Sequence, residues 1–255
     1  MKRRRIILII TIVLSCLAIG LTLKDYYTPP AERVAYMISH HNDDTIRIAY
    51  IGDSWAAMHK EHECTIAKKI EDSIHRPVIV SSCGIHGKTS KEIYENLFDN
   101  KDIHDFMMKG YDFCFISAGI NDTYKKMSVK YYKKSIENII RFMLINHIHP
   151  IILDIPDYNI VKAYDNQKMF HKLLRKASTL ITGSQVDCKQ EFRNTLYELV
   201  NNKNYEISIL KYQEWNKNYL NDLNTYYLND GMHLNQIGYS KLDSCIAQHI
   251  IQQIN

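Results

Sequence analysis

Residues 47–55 read Arg47-Ile48-Ala49-Tyr50-Ile51-Gly52-Asp53-Ser54-Trp55. The first five form a short apolar run of strand length. It stops at Gly52 and is followed by Asp53 and Ser54, two side chains that favour a helix start. Residues 56–74 then carry apolar side chains at helical spacing. The same alternation continues down the chain. Pro77–Ser81 is β-branched and strand-like, and Lys88–Phe98 reads as a helix capped by Thr89 or Ser90. Tyr111–Ser117 is a third apolar run, and Ser128 caps a helix to about His147. Pro150–Ile155 is a fourth run, with helical stretches at 164–181 and 186–201 after it. Ile207–Leu210 is a weak fifth strand, and Asn235 opens a last helix to about Ile254. Short apolar strands alternating with helices predict an α/β fold whose parallel sheet is covered on both faces. The Asn-, Tyr- and Lys-rich region 157–229 is the least regular part of the pattern.

In an open parallel sheet, ligands bind beyond the carboxyl ends of the strands. Four polar segments fall there. Gly52-Asp53-Ser54 follows the first strand. Ser82-Cys83-Gly84-Ile85-His86-Gly87 follows the second. Ala118-Gly119-Ile120-Asn121-Asp122 follows the third. Asp230-Gly231-Met232-His233 precedes the last helix. Together they supply what acyl transfer requires. A serine hydroxyl needs an adjacent base to become a nucleophile. An imidazole takes its proton and returns it to the leaving group. A carboxylate orients the imidazole, and Asp230 lies three residues before His233. The oxyanion of the tetrahedral intermediate needs preorganised N–H donors. The backbone of Ser54 and Gly87 and the amide of Asn121 are candidates.

These four blocks resemble those of the SGNH (GDSL-type) hydrolases, in that family's order and on the expected elements. The resemblance covers residues 46–254, with 157–229 matched loosely. It implies a three-layer α/β/α sandwich with a central, mostly parallel, flavodoxin-like sheet, and neither a metal nor an organic cofactor. Carried over, Ser54 is the nucleophile, His233 the base and Asp230 its orienting acid. Ser54, Gly87 and Asn121 form the oxyanion hole. Three residues depart from the family pattern: Trp55 after the serine, Ile120 for a second glycine, and Leu234 for a proline after the histidine. None removes a catalytic atom. Trp55 and Ile120 are expected to narrow or reshape the pocket.

Simpler readings compete at several positions. Ser54 fits a helix cap, and Gly84 rivals Gly87 as the second-block glycine. Asp122 reads as structural, and Asp154 and Asp157 as turn or capping residues. His59-x-x-His62-x-Cys64 has metal-like spacing but no fourth ligand after it, so a solvated helix face is the better reading. The tyrosines and asparagines of 157–229 fit either a sugar-binding cleft or biased composition. No apolar lid segment is evident after the motifs, which argues against a lipase-type substrate.

The chain has 255 residues, enough for one sizeable core. Its net charge of +4 is unevenly placed. Residues 1–24 hold five of the 32 basic residues and none of the 28 acidic ones, so the body is nearly neutral. That argues against a nucleic-acid partner. After Lys2-Arg3-Arg4-Arg5 comes an uncharged apolar run, Ile6–Leu23. As a helix it spans roughly 27 Å, close to the hydrocarbon core of a bilayer. An uncleaved signal anchor over 1–24 is the favoured reading. Lipidation at Cys16 and cleavage with secretion are the alternatives. All three leave residues 25–45 as a linker and export residues 46–255. Six cysteines are too few for a disulfide scaffold; Cys83 and Cys114, in strand-like runs, read as buried thiols.

The combined expectation is a membrane-anchored, extracytoplasmic serine esterase. Its substrate would be a short-chain O-acyl ester, such as an acetyl group on a cell-surface polysaccharide. An O-acyltransferase using the same triad and a non-catalytic glycan-binding protein on the same fold are the rival readings.

Overall fold

The computed structural model describes residues 2–62, 64–165, 167–182, 185–201 and 207–254. Among the described residues five strands build one sheet: β1 (Ile46–Gly52), β2 (Val78–Gly84), β3 (Phe113–Ser117), β4 (His149–Leu153) and β5 (Ser208–Leu210). Their order is β2-β1-β3-β4-β5, and every pairing is parallel. This order reverses direction between β1 and β3, the switch point at which such sheets bind ligands.

Alternation along the strands feeds two cores, as a sheet buried on both faces requires. Ile46, Ile48 and Tyr50 of β1 point into one core, Ala49 and Ile51 into the other. The first core is closed by the helices Ser54–His59, Ile66–Ile74 and Gln236–Ile254. The second is closed by Ser90–Asp99, Lys101–Met107, Val129–Ile145 and Lys189–Asn201. The predicted caps hold. Thr89 forms a reciprocal capping box with Glu92, Ser128 accepts from the N–H of Tyr131, and Asn235 accepts from Gly238 at 3.0 Å.

Several boundaries differ from the sequence expectation. β2 runs on to Gly84 because its ladder with β1 continues to the Gly52↔Gly84 pair, overriding the weak strand propensity of Ser-Ser-Cys-Gly. The stretch 56–74 is two helices rather than one, because Thr65 turns its N–H and hydroxyl onto the buried carboxylate of Asp243 at 2.7 and 3.2 Å. The stretch 164–181 is likewise divided, into Ile160–Asp165 and Met169–Thr182. Two short helices, Tyr212–Trp215 and Tyr219–Tyr226, lie in the irregular region 157–229. All six cysteines carry free thiols; Cys114 is buried and Cys83 half-buried.

Residues 28–45 hold no helix and lie against the domain. They form a strap along the helices Ser90–Asp99 and Val129–Ile145. Lys91 donates to the carbonyl of Thr28 at 3.1 Å and Arg33 grips Asp99 at 2.6 and 2.8 Å. Arg141 holds Glu32 at 2.7 Å. Lower down, Ile38 N–H meets Asn146 at 2.8 Å, and His41 contacts the carbonyl of Lys109 at 2.7 Å. The strap starts at the carboxyl edge of the sheet and ends at the opposite edge, where β1 begins.

A helix, Lys2–Tyr27, precedes the strap, and its apolar side chains from Ile6 to Ile19 are more than half exposed where described. Among the described residues no helix is long and apolar enough to cross a membrane. The side chains at positions 18, 21 and 22, inside the apolar run, lie outside that description. The span expected over Ile6–Leu23 is therefore not established by the fold.

Candidate active site

The four polar segments meet at the carboxyl edge of β1 and β3. Ser54 opens the helix Ser54–His59, whose N-cap Asp53 accepts from the N–H of Trp55 at 3.0 Å. His233 ends the loop before the helix Gln236–Ile254. The Ser54 hydroxyl lies 2.9 Å from Nε2 of His233, and Nδ1 of His233 lies 2.6 Å from Asp230 Oδ2. With Nδ1–H donating to the carboxylate, Nε2 is left to accept the hydroxyl proton. Asp230 Oδ1 accepts from the N–H groups of Met232 and His233 at 2.9 and 3.0 Å. Partial burial alone would raise the Asp230 carboxyl, but the His233 bond and the two backbone bonds outweigh it and hold it at about 2. It is thus an anion at neutral pH.

Asp53 lies beneath the serine and is fully buried. Burial pushes its carboxyl up to about 6, against the pull of the Trp55 N–H and of His233. It also accepts from Ser117 Oγ at 3.3 Å and from the Asn121 amide at 3.4 Å. Asn121 therefore sits beside the Gly52-Asp53-Ser54 segment, with one of its two amide hydrogens directed at Asp53. Asp122 is buried and accepts both the N–H and the hydroxyl of Ser90, at 2.8 and 2.6 Å. It ties the third block to the helix Ser90–Asp99, the structural part expected of it.

The two rival glycines separate by their surroundings. A Cβ on Gly84 would lie 2.3 Å from the Ala57 nitrogen and 2.5 Å from the Asp53 carbonyl. Gly84 is what lets the serine-bearing helix rest on β2. Gly87 has φ +71° and open space where a Cβ would stand; it is the exposed turn residue that faces solvent. Gly84→Ala is expected to push the helix Ser54–His59 off β2, lowering both melting temperature and turnover. A variant with unchanged melting and turnover would refute the tight contact. Overpacking of this kind costs about 1–3 kcal/mol or more.

Three expectations need correction. Trp55 does not reach a pocket: it is fully buried, edge-on to Trp215 with ring centroids 5.6 Å apart. Ile120 is buried in the same core, so neither residue narrows the site. His59 is not on a solvated face either. It is buried, bonding Ser82 Oγ through Nδ1 at 2.8 Å and Asp243 Oδ1 through Nε2 at 2.7 Å. Burial pulls its imidazole down, but Asp243 and the Cys64 sulfur more than offset this and hold it at about 9. His59, Cys64 and Asp243 do bring one ligand atom each within 4.8 Å of one another. Both nitrogens of this imidazole already have hydrogen-bond partners.

Some supporting residues were not legible in the sequence. Tyr239 donates its hydroxyl to the Trp55 carbonyl at 3.1 Å, and Tyr219 donates to the Gly231 carbonyl at 2.7 Å. The helix of Ser54 and the helix that follows His233 are therefore joined at three levels: Ser54–His233, Trp55–Tyr239 and His59–Asp243. No spacing rule announces such long-range pairs. The tyrosines of 157–229 act partly as these props: Tyr158 and Tyr227 are buried rather than lining a cleft. Asp154 accepts from the Ile155 N–H and Tyr197, and Asp157 pairs with Arg193 at 2.8 Å, so both serve the loop after β4.

No protein-family model matches the sequence, and no curated protein does. Solved structures do share the fold. A lipase/acylhydrolase from Enterococcus faecalis superposes with a TM-score of 0.57 at 17% identity, covering 82% of this chain and 96% of that one. The lipase Lip_vut3 from a goat rumen metagenome gives 0.55 at 13% identity, covering 80% and 96%. A member of the lipolytic G-D-S-L family from Veillonella parvula gives 0.54 at 14%, covering 82% and 99%. With its parallel five-stranded sheet and its four polar blocks at one edge, the chain has the fold of the GDSL-type (SGNH) hydrolases.

Proposed function

We propose that the protein is a serine ester hydrolase. The observation that carries this is the hydrogen-bonded chain Ser54–His233–Asp230, at 2.9 and 2.6 Å, on the ligand-binding edge of the sheet. His233 takes the Ser54 proton as Oγ attacks the acyl carbonyl, and returns it to the leaving alcohol. Water, deprotonated by the same imidazole, then releases the acyl group. Asp230, an anion throughout, stabilises the imidazolium that forms in each half-reaction. The Ser54 and Gly87 N–H groups and the second amide hydrogen of Asn121 hold the oxyanion.

The substrate we favour is a short O-acyl ester, such as acetyl, on a surface polysaccharide. The N-terminal helix Lys2–Tyr27 would carry Ile6–Leu23 into the membrane, with the basic stub in the cytoplasm and the domain outside. The uncharged apolar run and its exposed side chains support this. Purified full-length protein should release acid from short-acyl esters, and Asn121→Ala should lower kcat by roughly 10²–10³-fold with KM little changed. A wild-type protein that hydrolyses no acyl ester would refute the reading. Transfer of the acyl group to a glycan hydroxyl, in place of acetate release, would turn it into an acyltransferase with the same triad.

A further inference from the structure

The strap fixes where the N-terminal helix joins the domain. Thr28 is held by Lys91, in the first turn of the helix Ser90–Asp99, and that turn lies at the carboxyl edge of the sheet. Only Lys24–Tyr27 separate the apolar run from Thr28. Four helical residues rise about 6 Å, the depth of one headgroup layer. The anchor therefore leaves the domain on the edge that holds Ser54 and His233.

A second feature of that edge points the same way. On the helix Met169–Thr182 the Arg175 guanidinium lies 3.8 Å over the Tyr124 ring and 4.9 Å over Tyr164. Tyr124 is three residues from Asn121. Met169, Phe170 and Leu173 are 79%, 67% and 58% exposed. The preceding helix, Ile160–Asp165, reaches the triad loop through Lys162, which donates to the Asn229 carbonyl at 3.3 Å. An outward apolar face flanked by Lys172 and Lys176 has the make-up of a helix that lies in an anionic membrane interface.

We infer that the catalytic edge faces a lipid bilayer, with the Met169–Phe170–Leu173 face at headgroup level, and that the ester acted on is carried by a molecule held at that surface. This rests on the esterase and anchor readings above. A substrate of this kind has its acyl group within reach of Ser54 without leaving the membrane.

The test uses full-length protein in vesicles of phosphatidylcholine and phosphatidylglycerol. A fluorescent amino acid replaces Phe170 or, as control, Asp44 at the opposite edge. A headgroup nitroxide lipid should quench the first and spare the second; equal quenching, or none at position 170, overturns the orientation. In parallel, Met169→Ser, Phe170→Ser and Leu173→Ser are combined. The ratio of turnover on a vesicle-borne acyl ester to turnover on a soluble one should fall about tenfold or more, as expected when three apolar side chains lose an interface. An unchanged ratio overturns the substrate assignment. A wild-type chain inactive on both esters refutes the esterase reading, and the quenching pair still decides the orientation.

Discussion

Ser54→Ala is expected to lower turnover of a short-acyl ester by roughly four to six orders of magnitude, the scale on which triads fail when the nucleophile is lost. The fold should survive, because the helix Ser54–His59 keeps its cap: Asp53, not Ser54, accepts from the Trp55 N–H. A serine-directed organophosphonate gives the matching readout without a known substrate. It should label the wild-type protein at one site and leave Ser54→Ala unlabelled. Equal labelling of both, or an active alanine variant, would mean that the nucleophile lies elsewhere. His233→Ala should cost a similar amount. The two losses should not add, since hydroxyl and imidazole act as one unit.

The largest expected effect on stability comes from Asp243→Ala. His59 and Asp243 are almost wholly buried and bonded at 2.7 Å. Removing the carboxylate leaves the buried Nε2 of His59 and the Thr65 N–H without their partner. Breaking a buried pair in this way costs about 3–5 kcal/mol, which for a chain of this size is a fall of roughly 10 °C in melting temperature. The pH dependence has a definite sign. Folding raises the His59 imidazole from its ordinary 6.5 to about 9. Its contribution is complete below about 6.5 and is lost as pH rises through 9. Wild-type protein should lose stability between these values, and Asp243→Ala should lack that component. Matching slopes in thermal melts from pH 6 to pH 10 would refute a charged His59.

Much of the fold was legible because its signals are local. Four strand-length apolar runs and a weaker fifth, the caps Thr89, Ser128 and Asn235, and the polar blocks after strands one to three are each contained in a few residues. They suffice to predict the sheet and the meeting of Ser54, Asp230 and His233. What was missed depends on contacts between distant segments. Trp55 looked like a pocket residue because it follows the serine. In the fold it points away, into the core with Trp215. His59 looked exposed because its helix is polar on that side, and its partner Asp243 is 184 residues away. Residues 25–45 read as a linker, and 28–45 of them pack on the domain. An extended segment can pack closely by bonding its backbone to helices already in place. The exposure of Met169, Phe170 and Leu173 is not legible for a different reason: their helix has an ordinary amphipathic pattern, and only the tertiary structure places these three side chains outside.

The span between Ser54 and His233, 179 residues, also has a consequence for timing. Ser54 is synthesised well before His233. Until the helix Gln236–Ile254 docks against Ser54–His59, through Tyr239 on Trp55 and Asp243 on His59, the serine hydroxyl has no imidazole to receive its proton. On the esterase reading proposed above, a chain in which that helix has not docked is inert toward esters, and reactivity begins only when it does.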